Sequence, residues 1–219
     1  MTRSVGAEHT ARDFAVEYEV RYLVASPDPV RARIEELNGS LASVEEVSDQ
    51  WFVPKFVNTY EDHENWLLRS DANPLRIRTV LSEGGLSCRM EVKRPVVAGS
   101  FNRSEELSLT IADGRAGALL LECLGRHRIC TLTKTRSIHD LSSGFRCCLD
   151  EYENDVCICE LESTRGGDEQ EQAGALRELA SSLGLDARAE LGVSTAIFLI
   201  RKHLAGQLSP GQRPEDRAD

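Results

Sequence analysis

Glu17-Tyr18-Glu19-Val20-Arg21 places a charge on every second residue, and this alternation constrains the fold more than any other stretch of the chain. Side chains alternate across a strand, so Glu17, Glu19 and Arg21 share one face while Tyr18, Val20 and Tyr22 share the other. Phe14 and Val16 before the run and Leu23 and Val24 after it support a strand, which Ser26-Pro27-Asp28-Pro29 ends. Only the face carrying Tyr18, Val20 and Tyr22 can join an apolar core. The other face has to meet water or a charged ligand.

The same alternation returns along the chain. Arg76 and Arg78 alternate with Leu75 and Ile77; Arg89, Glu91 and Lys93 with Met90 and Val92; Lys134 and Arg136 with Thr133 and Thr135. Arg103 alternates with Glu105, Asp150 follows Leu149, and Glu160 alternates with Glu162 in Cys-Glu-Leu-Glu. So many strands with one charged parity describe a sheet with one whole face charged. That face is either the wet outside of a sheet or the interior of a closed barrel wrapped by helices. The barrel requires its inner charges to be compensated, because unpaired buried charges are costly. Acids and bases are both available for it. Grouped carboxylates suit a hard divalent cation such as Mg²⁺ or Mn²⁺, and grouped Arg and Lys suit a polyphosphate.

Strands are expected over 41–57, 75–81, 86–93, 103–110, 129–136, 145–152 and 156–163, with a tight turn at Glu83-Gly84-Gly85 and another at Asn154-Asp155. Helices are expected over 28–38, 113–124, 168–183 and 194–204, with Gly39, Gly125 and Gly184 closing the first three. About eight strands joined by tight turns, with helices between some of them, predict an α+β fold: an eight-stranded antiparallel β-barrel, or tunnel, with flanking helices. Residues 59–74 read as a polar loop, and residues 1–13 and 207–219 as disordered ends of a single domain over 14–206.

A net charge of -10 over 219 residues argues against nucleic-acid or anionic-membrane binding. No apolar run is long enough to span a bilayer, and residues 1–13 have no hydrophobic stretch of a secretory leader. With seven cysteines, an odd number, this predicts reduced thiols and a cytoplasmic protein. Cys147-Cys148 and Cys157-Ile158-Cys159 lack the spacing of a zinc knuckle and read as buried apolar-side thiols. His63, His127, His139 and His203 show no metal spacing and are expected at the surface, as are Glu45 and Glu46.

Taken in order, these segments resemble the CYTH domain, or triphosphate tunnel metalloenzyme, family, which includes class IV adenylyl cyclases, thiamine triphosphatases and inorganic triphosphatases. Glu17, Glu19 and Arg21 are similar to its E-x-E-x-[KR] opening, Asp49-Gln50-Trp51-Phe52 to D-x-Y-F, Leu75-Arg76-Ile77-Arg78 to L-R-I-R, and Lys93-Arg94-Pro95 to K-x-P. Arg103 with Glu105, Lys134 with Arg136, Asp150, and Glu160 with Glu162 follow in the family's order. Trp51 departs from the usual Tyr. Leu107 stands where a further acid is usual, with Glu106 out of phase, and Glu91 adds a carboxylate.

The resemblance implies metal-assisted attack on a triphosphate. Glu17, Glu19, Asp150, Glu160 and Glu162 would hold Mg²⁺ or Mn²⁺, and Arg21, Arg76, Arg78, Lys93, Arg103, Lys134 and Arg136 would clamp the phosphates. Glu17, Glu19, Arg21, Lys93 and Lys134 form the expected catalytic set. The expected activity is hydrolysis of an inorganic, thiamine or nucleoside triphosphate by a monomer or homodimer. The alternatives are conversion of ATP to cyclic AMP and pyrophosphate, and a noncatalytic polyphosphate- or nucleotide-binding module.

Overall fold

The computed structural model describes residues 15–204, apart from 68, 70–71, 96–102, 142–143, 154 and 164–167. At 15–17, 60, 93–95, 103–104 and 169 the description covers the backbone alone. The expected disordered ends, the side chains of Glu17, Lys93 and Arg103, and part of the Asn154-Asp155 turn therefore lie outside the described residues.

Eight strands make up the sheet: β1 Ala15–Val24, β2 Ser40–Pro54, β3 Leu75–Ser82, β4 Gly85–Pro95, β5 Arg103–Thr110, β6 Arg126–Leu141, β7 Phe145–Tyr152 and β8 Cys157–Ser163. They close into a barrel in the ring order β1-β5-β4-β3-β2-β6-β7-β8. Every neighbouring pair is antiparallel. β1 seals the ring, pairing on one side with β5 (Ala15 to Tyr18 against Glu106 to Arg103) and on the other with β8 (Tyr18 to Val24 against Ser163 to Cys157). The β3–β4 turn is the tight one the sequence predicts: Ser82 pairs with Gly85, whose φ of 98° is open to glycine at no steric cost.

Five α-helices accompany the barrel among the described residues: α1 Asp28–Glu36, α2 Tyr60–Leu67, α3 Gly114–Cys123, α4 Glu169–Ser182 and α5 Thr195–Leu204. α4 begins where sequence places it, with the Asp168 carboxylate accepting from the backbone N–H groups of Gln170 and Glu171. The outward parity of β1, β7 and β8 (Tyr18, Val20, Tyr22, Leu149, Cys159, Leu161) packs with Val30 and Ile34 of α1 and Leu176, Ala180 and Leu183 of α4. Each large aliphatic side chain taken from water there contributes about 1.5–3 kcal/mol. α3 covers Phe52 and Ile77 with Leu121. A third cluster gathers Trp51, Val53, Trp66, Tyr152, Leu199 and Ile200, joining one end of the barrel to α2 and α5.

Three expectations are corrected. Residues 60–67, read as a polar loop, form α2, which Trp66 anchors in the third cluster. His63 and His139, read as surface residues, are 1% and 7% exposed. Glu45, read with Glu46 as a surface charge, is the register partner of Arg136 and borders the barrel cavity. All seven cysteines are free thiols, and Cys130, Cys147, Cys148 and Cys159 are buried. No helix among the described residues is long and apolar enough to cross a membrane.

Candidate active site

The charged parity of the strands faces a single cavity of about 820 Å³ inside the barrel. Three of its carboxylates stand together. Glu19 on β1 and Glu162 on β8 are register partners, Glu160 lies two residues from Glu162 on the same face, and one oxygen from each falls within 4.8 Å of the others. Three hard oxygen donors so close together repel one another unless cations compensate them, and they fit a divalent cation of the Mg²⁺ or Mn²⁺ kind.

Protein cations supply part of that compensation. Arg21 contacts Glu19 and lies 3.6 Å from a Glu160 oxygen. Arg136 reaches the other Glu160 oxygen at 2.5 Å, and the Thr195 hydroxyl at the start of α5 donates to Glu160 at 2.6 Å. Burial works against the charged form of Glu160, but Arg136, Lys134 and Arg21 outweigh it and hold this carboxyl well below the ordinary range.

Asp150 stands apart from the trio. Arg136 grips it with two nitrogens at 2.6 and 2.7 Å, and Lys134 donates to it at 2.5 Å. In this arrangement Asp150 aims two cations into the tunnel. Burial, helped by Arg136, lowers the Lys134 pKa against the pull of Asp150 and Glu160. Its ammonium also lies 5.3 Å from the centre of the Tyr152 ring.

Arg76 and Arg78 line β3, which with β2 lies opposite the β1–β8 wall in the ring order. Arg78 makes a two-pronged bond to Asp49, and Arg76 bonds Glu91 at 2.7 Å and Glu106 at 3.4 Å. Burial raises the Asp49 pKa, yet Arg78 and Arg76 bring it well below the ordinary carboxylate range; Glu91 is lowered by the same two cations against the same opposition.

Of the residues expected from sequence, Glu19, Arg21, Arg76, Arg78, Lys134, Arg136, Glu160 and Glu162 border this one cavity. The backbone of Glu17 pairs with Ser104, that of Lys93 with Glu106 and that of Arg103 with Tyr18. Glu106, out of phase in a reading that starts from Arg103, shares its register with Lys93 and lies in phase with Ser108, the partner of Glu91; it joins the cavity ion pairs through Arg76. Asp49, Trp51, Tyr152 and Thr195 are further cavity residues outside the expected set. For Asp49 the signal was present, since it opens the D-x-Y-F-like segment on the parity of Trp51.

The result is a charged tunnel with a carboxylate trio on one wall and cations on the opposing walls. It suits a polyphosphate bridged to a divalent cation.

Comparison with known proteins bears on the fold and the family. A search of curated proteins by sequence finds no match. Among solved structures, the PH1012 protein of Pyrococcus horikoshii OT3 superposes with a TM-score of 0.68 at 20% identity, over 84% of this chain and 98% of that one. A candidate adenylate cyclase from Vibrio parahaemolyticus gives 0.65 at 19% identity, over 85% and 98%. A candidate adenylyl cyclase from Hippeastrum, described as having a dominant triphosphatase activity, gives 0.55 at 19% identity, over 89% and 97%. At these identities the likeness carries the fold. The family model of the CYTH domain matches residues 15–190, and the chain therefore belongs to the CYTH domain family.

Proposed function

We propose that this protein is a divalent-metal-dependent triphosphatase. The observation that carries the reading is the trio Glu19, Glu160 and Glu162, set across a charged tunnel from Arg76 and Arg78 and flanked by Lys134 and Arg136. When bound, a divalent cation supplies charge neutralisation at the phosphate oxygens and lowers the pKa of attacking water. The side chains do the rest. Arg76, Arg78, Lys134 and Arg136, and Lys93 by expectation, hold the phosphate oxygens in a fixed orientation and offset charge that builds in the transition state; Arg103, the register partner of the outward-facing Tyr18, falls on the other parity of β5. Water attacks the terminal phosphorus, its bond to the bridging oxygen breaks, and orthophosphate leaves the diphosphate product. Glu17, by expectation, adds a carboxylate beside Glu19.

The test is to incubate the protein with Mg²⁺ or Mn²⁺ and inorganic triphosphate, thiamine triphosphate or ATP, and to resolve products by ³¹P NMR. Orthophosphate release, abolished in Glu19→Gln, is the expected result. Pyrophosphate together with a cyclic nucleotide from ATP would instead make the protein a cyclase. No turnover of any of the three would overturn the catalytic reading.

A further inference from the structure

We infer that Glu91 is an internal anion that occupies a phosphate position in the tunnel and sets how long a phosphate chain must be to displace it. The inference rests on the triphosphatase reading and names a discrimination that one residue of that site makes.

Glu91 is the carboxylate by which β4 departs from the family's pattern, and it stands where cations converge. It is the register partner of Arg76, and Arg89, two residues before it, pairs with Arg78. Arg78 and Arg89 are thus like charges set directly opposite each other, which destabilises a sheet unless an anion compensates them. One Glu91 oxygen accepts from Arg76 Nε at 2.7 Å and lies 4.0 Å from Arg78 Nε. The other accepts from the Ser108 hydroxyl at 3.5 Å and lies 3.7 Å from Arg89 Nε. Three guanidinium groups and a hydroxyl around one carboxylate make a place that suits a phosphate equally, because the guanidinium fork matches both anions. Glu91 is 4% exposed, and it borders the cavity together with these four partners. Burial works against its charge, but Arg76, Arg78 and Arg89 overcome it, so the carboxyl is ionised at neutral pH.

Asp49 shows the contrast. It fixes Arg78 with two parallel bonds, whereas Glu91 makes a single bond to Arg76 and meets the other two guanidinium groups through charge alone. An anion held in that way yields to a ligand that brings more charge. Orthophosphate or pyrophosphate gains at Arg76 little beyond what Glu91 gives up. A triphosphate also reaches Lys134 and Arg136 on β6, and those contacts offset the displacement. Specificity then comes from penalising the shorter ligand rather than from an added contact to the longer one. The same competition acts after hydrolysis, when Glu91 returns to Arg76 and drives out the shortened product.

The experiment measures binding of orthophosphate, pyrophosphate and inorganic triphosphate to the full chain in EDTA by isothermal titration calorimetry. It compares the wild type with Glu91→Gln, which keeps the volume and an oxygen facing Arg76, and with Glu91→Ser. Turnover of inorganic triphosphate with Mg²⁺ is followed in parallel. The wild type is expected to bind triphosphate about tenfold tighter than pyrophosphate, or more. In both variants pyrophosphate is expected to bind about threefold tighter than in the wild type, or more, and to gain more than triphosphate does. KM for triphosphate should fall in Glu91→Gln, with stronger inhibition by pyrophosphate. A residue that merely holds Arg76 in place moves these quantities the other way. A smaller gain in pyrophosphate affinity, or a loss, overturns the internal anion. If neither variant folds, the wild-type ratio decides alone, and a ratio below tenfold overturns it. Turnover with the pyrophosphate affinity unmoved sinks this inference and leaves the triphosphatase reading standing. Absence of turnover with the pyrophosphate gain intact does the reverse.

Discussion

Arg78 and Asp49 form a bidentate pair across β3 and β2, with Nε and Nη2 each 2.7 Å from a different oxygen of the carboxylate. The pair fixes the guanidinium plane before any phosphate arrives. Asp49→Asn keeps the shape and removes the charge that orients Arg78. KM for the triphosphate should rise about tenfold, and because a buried cation is left partly uncompensated, stability should fall by about 3 kcal/mol. Steady-state kinetics and chemical denaturation of the variant check the two effects separately.

Thr195 touches the carboxylate trio through Glu160 alone, so it serves as a positioning residue. Thr195→Val conserves volume and deletes the 2.6 Å bond. The Mg²⁺ concentration for half-maximal activity should rise about tenfold, the low end of what outer-shell partners of metal ligands contribute. Thr195→Ser should restore most of it. A Mg²⁺ titration of activity that is identical in wild type and Thr195→Val would remove Thr195 from the site.

Chelation should separate fold from function. The trio is already braced by Arg21, Arg136 and Thr195 without any ion, so EDTA is expected to abolish turnover while leaving the far-UV circular dichroism spectrum unchanged. Adding Mg²⁺ at about a hundred times its Kd should then stabilise the fold by about 2.7 kcal/mol. Thermal unfolding with and without the ion measures this.

His63 makes the fold sensitive to mild acid. Its folded pKa of about 4 lies below the ordinary 6.5. Above pH 6.5 neither the folded nor the unfolded chain carries the proton, and stability is at its full value. As the pH falls from 6.5 toward 4 only the unfolded chain takes it up, so stability drops, by roughly 3 kcal/mol over that window. Asp49, Glu91 and Glu160 act lower down: their folded pKa values are depressed, so the stability they add is present above the ordinary carboxylate range and is lost as the pH falls below it. Denaturation midpoints measured from pH 7 to pH 4 should decline in the wild type and flatten in His63→Leu.

Gly39→Ala is the converse case, a change to the fold that spares the site. A Cβ at this position would lie 2.6 Å from Ile34 Cγ2 and 2.7 Å from Leu141 Cδ2, where α1 meets β2 and β6. Overpacking of this kind costs about 1–3 kcal/mol. The melting temperature should fall while kcat measured well below it stays within about twofold.

Much of the site was legible because the period of a strand is two and the charges kept that period. Glu19, Arg21, Arg76, Arg78, Lys134, Arg136, Glu160 and Glu162 could be assigned to one face before any coordinate was known, and the structure brings them to one cavity. The failures have local causes. α2 carries Glu61, Asp62, His63 and Glu64 in succession, with no apolar stripe, and its helix is stabilised through Trp66 and the packing around it. β2 keeps its register with β6 from Ser43 to Trp51, so Glu45 shares the parity of Asp49 and Trp51, but two adjacent acids, Glu45 and Glu46, do not by themselves show which of the two turns inward. A phase counted from Arg103, the register partner of outward-facing Tyr18, turns Glu106 the wrong way, and sequence records the charge of Asp150 without recording that Arg136 and Lys134 bind it.

The seam between β1 and β8 has a consequence for how the protein comes into being. Glu19 sits on the first strand, and Glu160 and Glu162 on the last, so the three meet only when the two ends of the ladder are stitched together. During synthesis β1 emerges with neither of its neighbours: β5 follows some eighty residues later, and β8, the last strand in chain order, completes the ring. Long-range pairing of this kind is slow to form. The carboxylate trio therefore exists only in the closed barrel, and a chain lacking β8 keeps Glu19 with neither of its two companions.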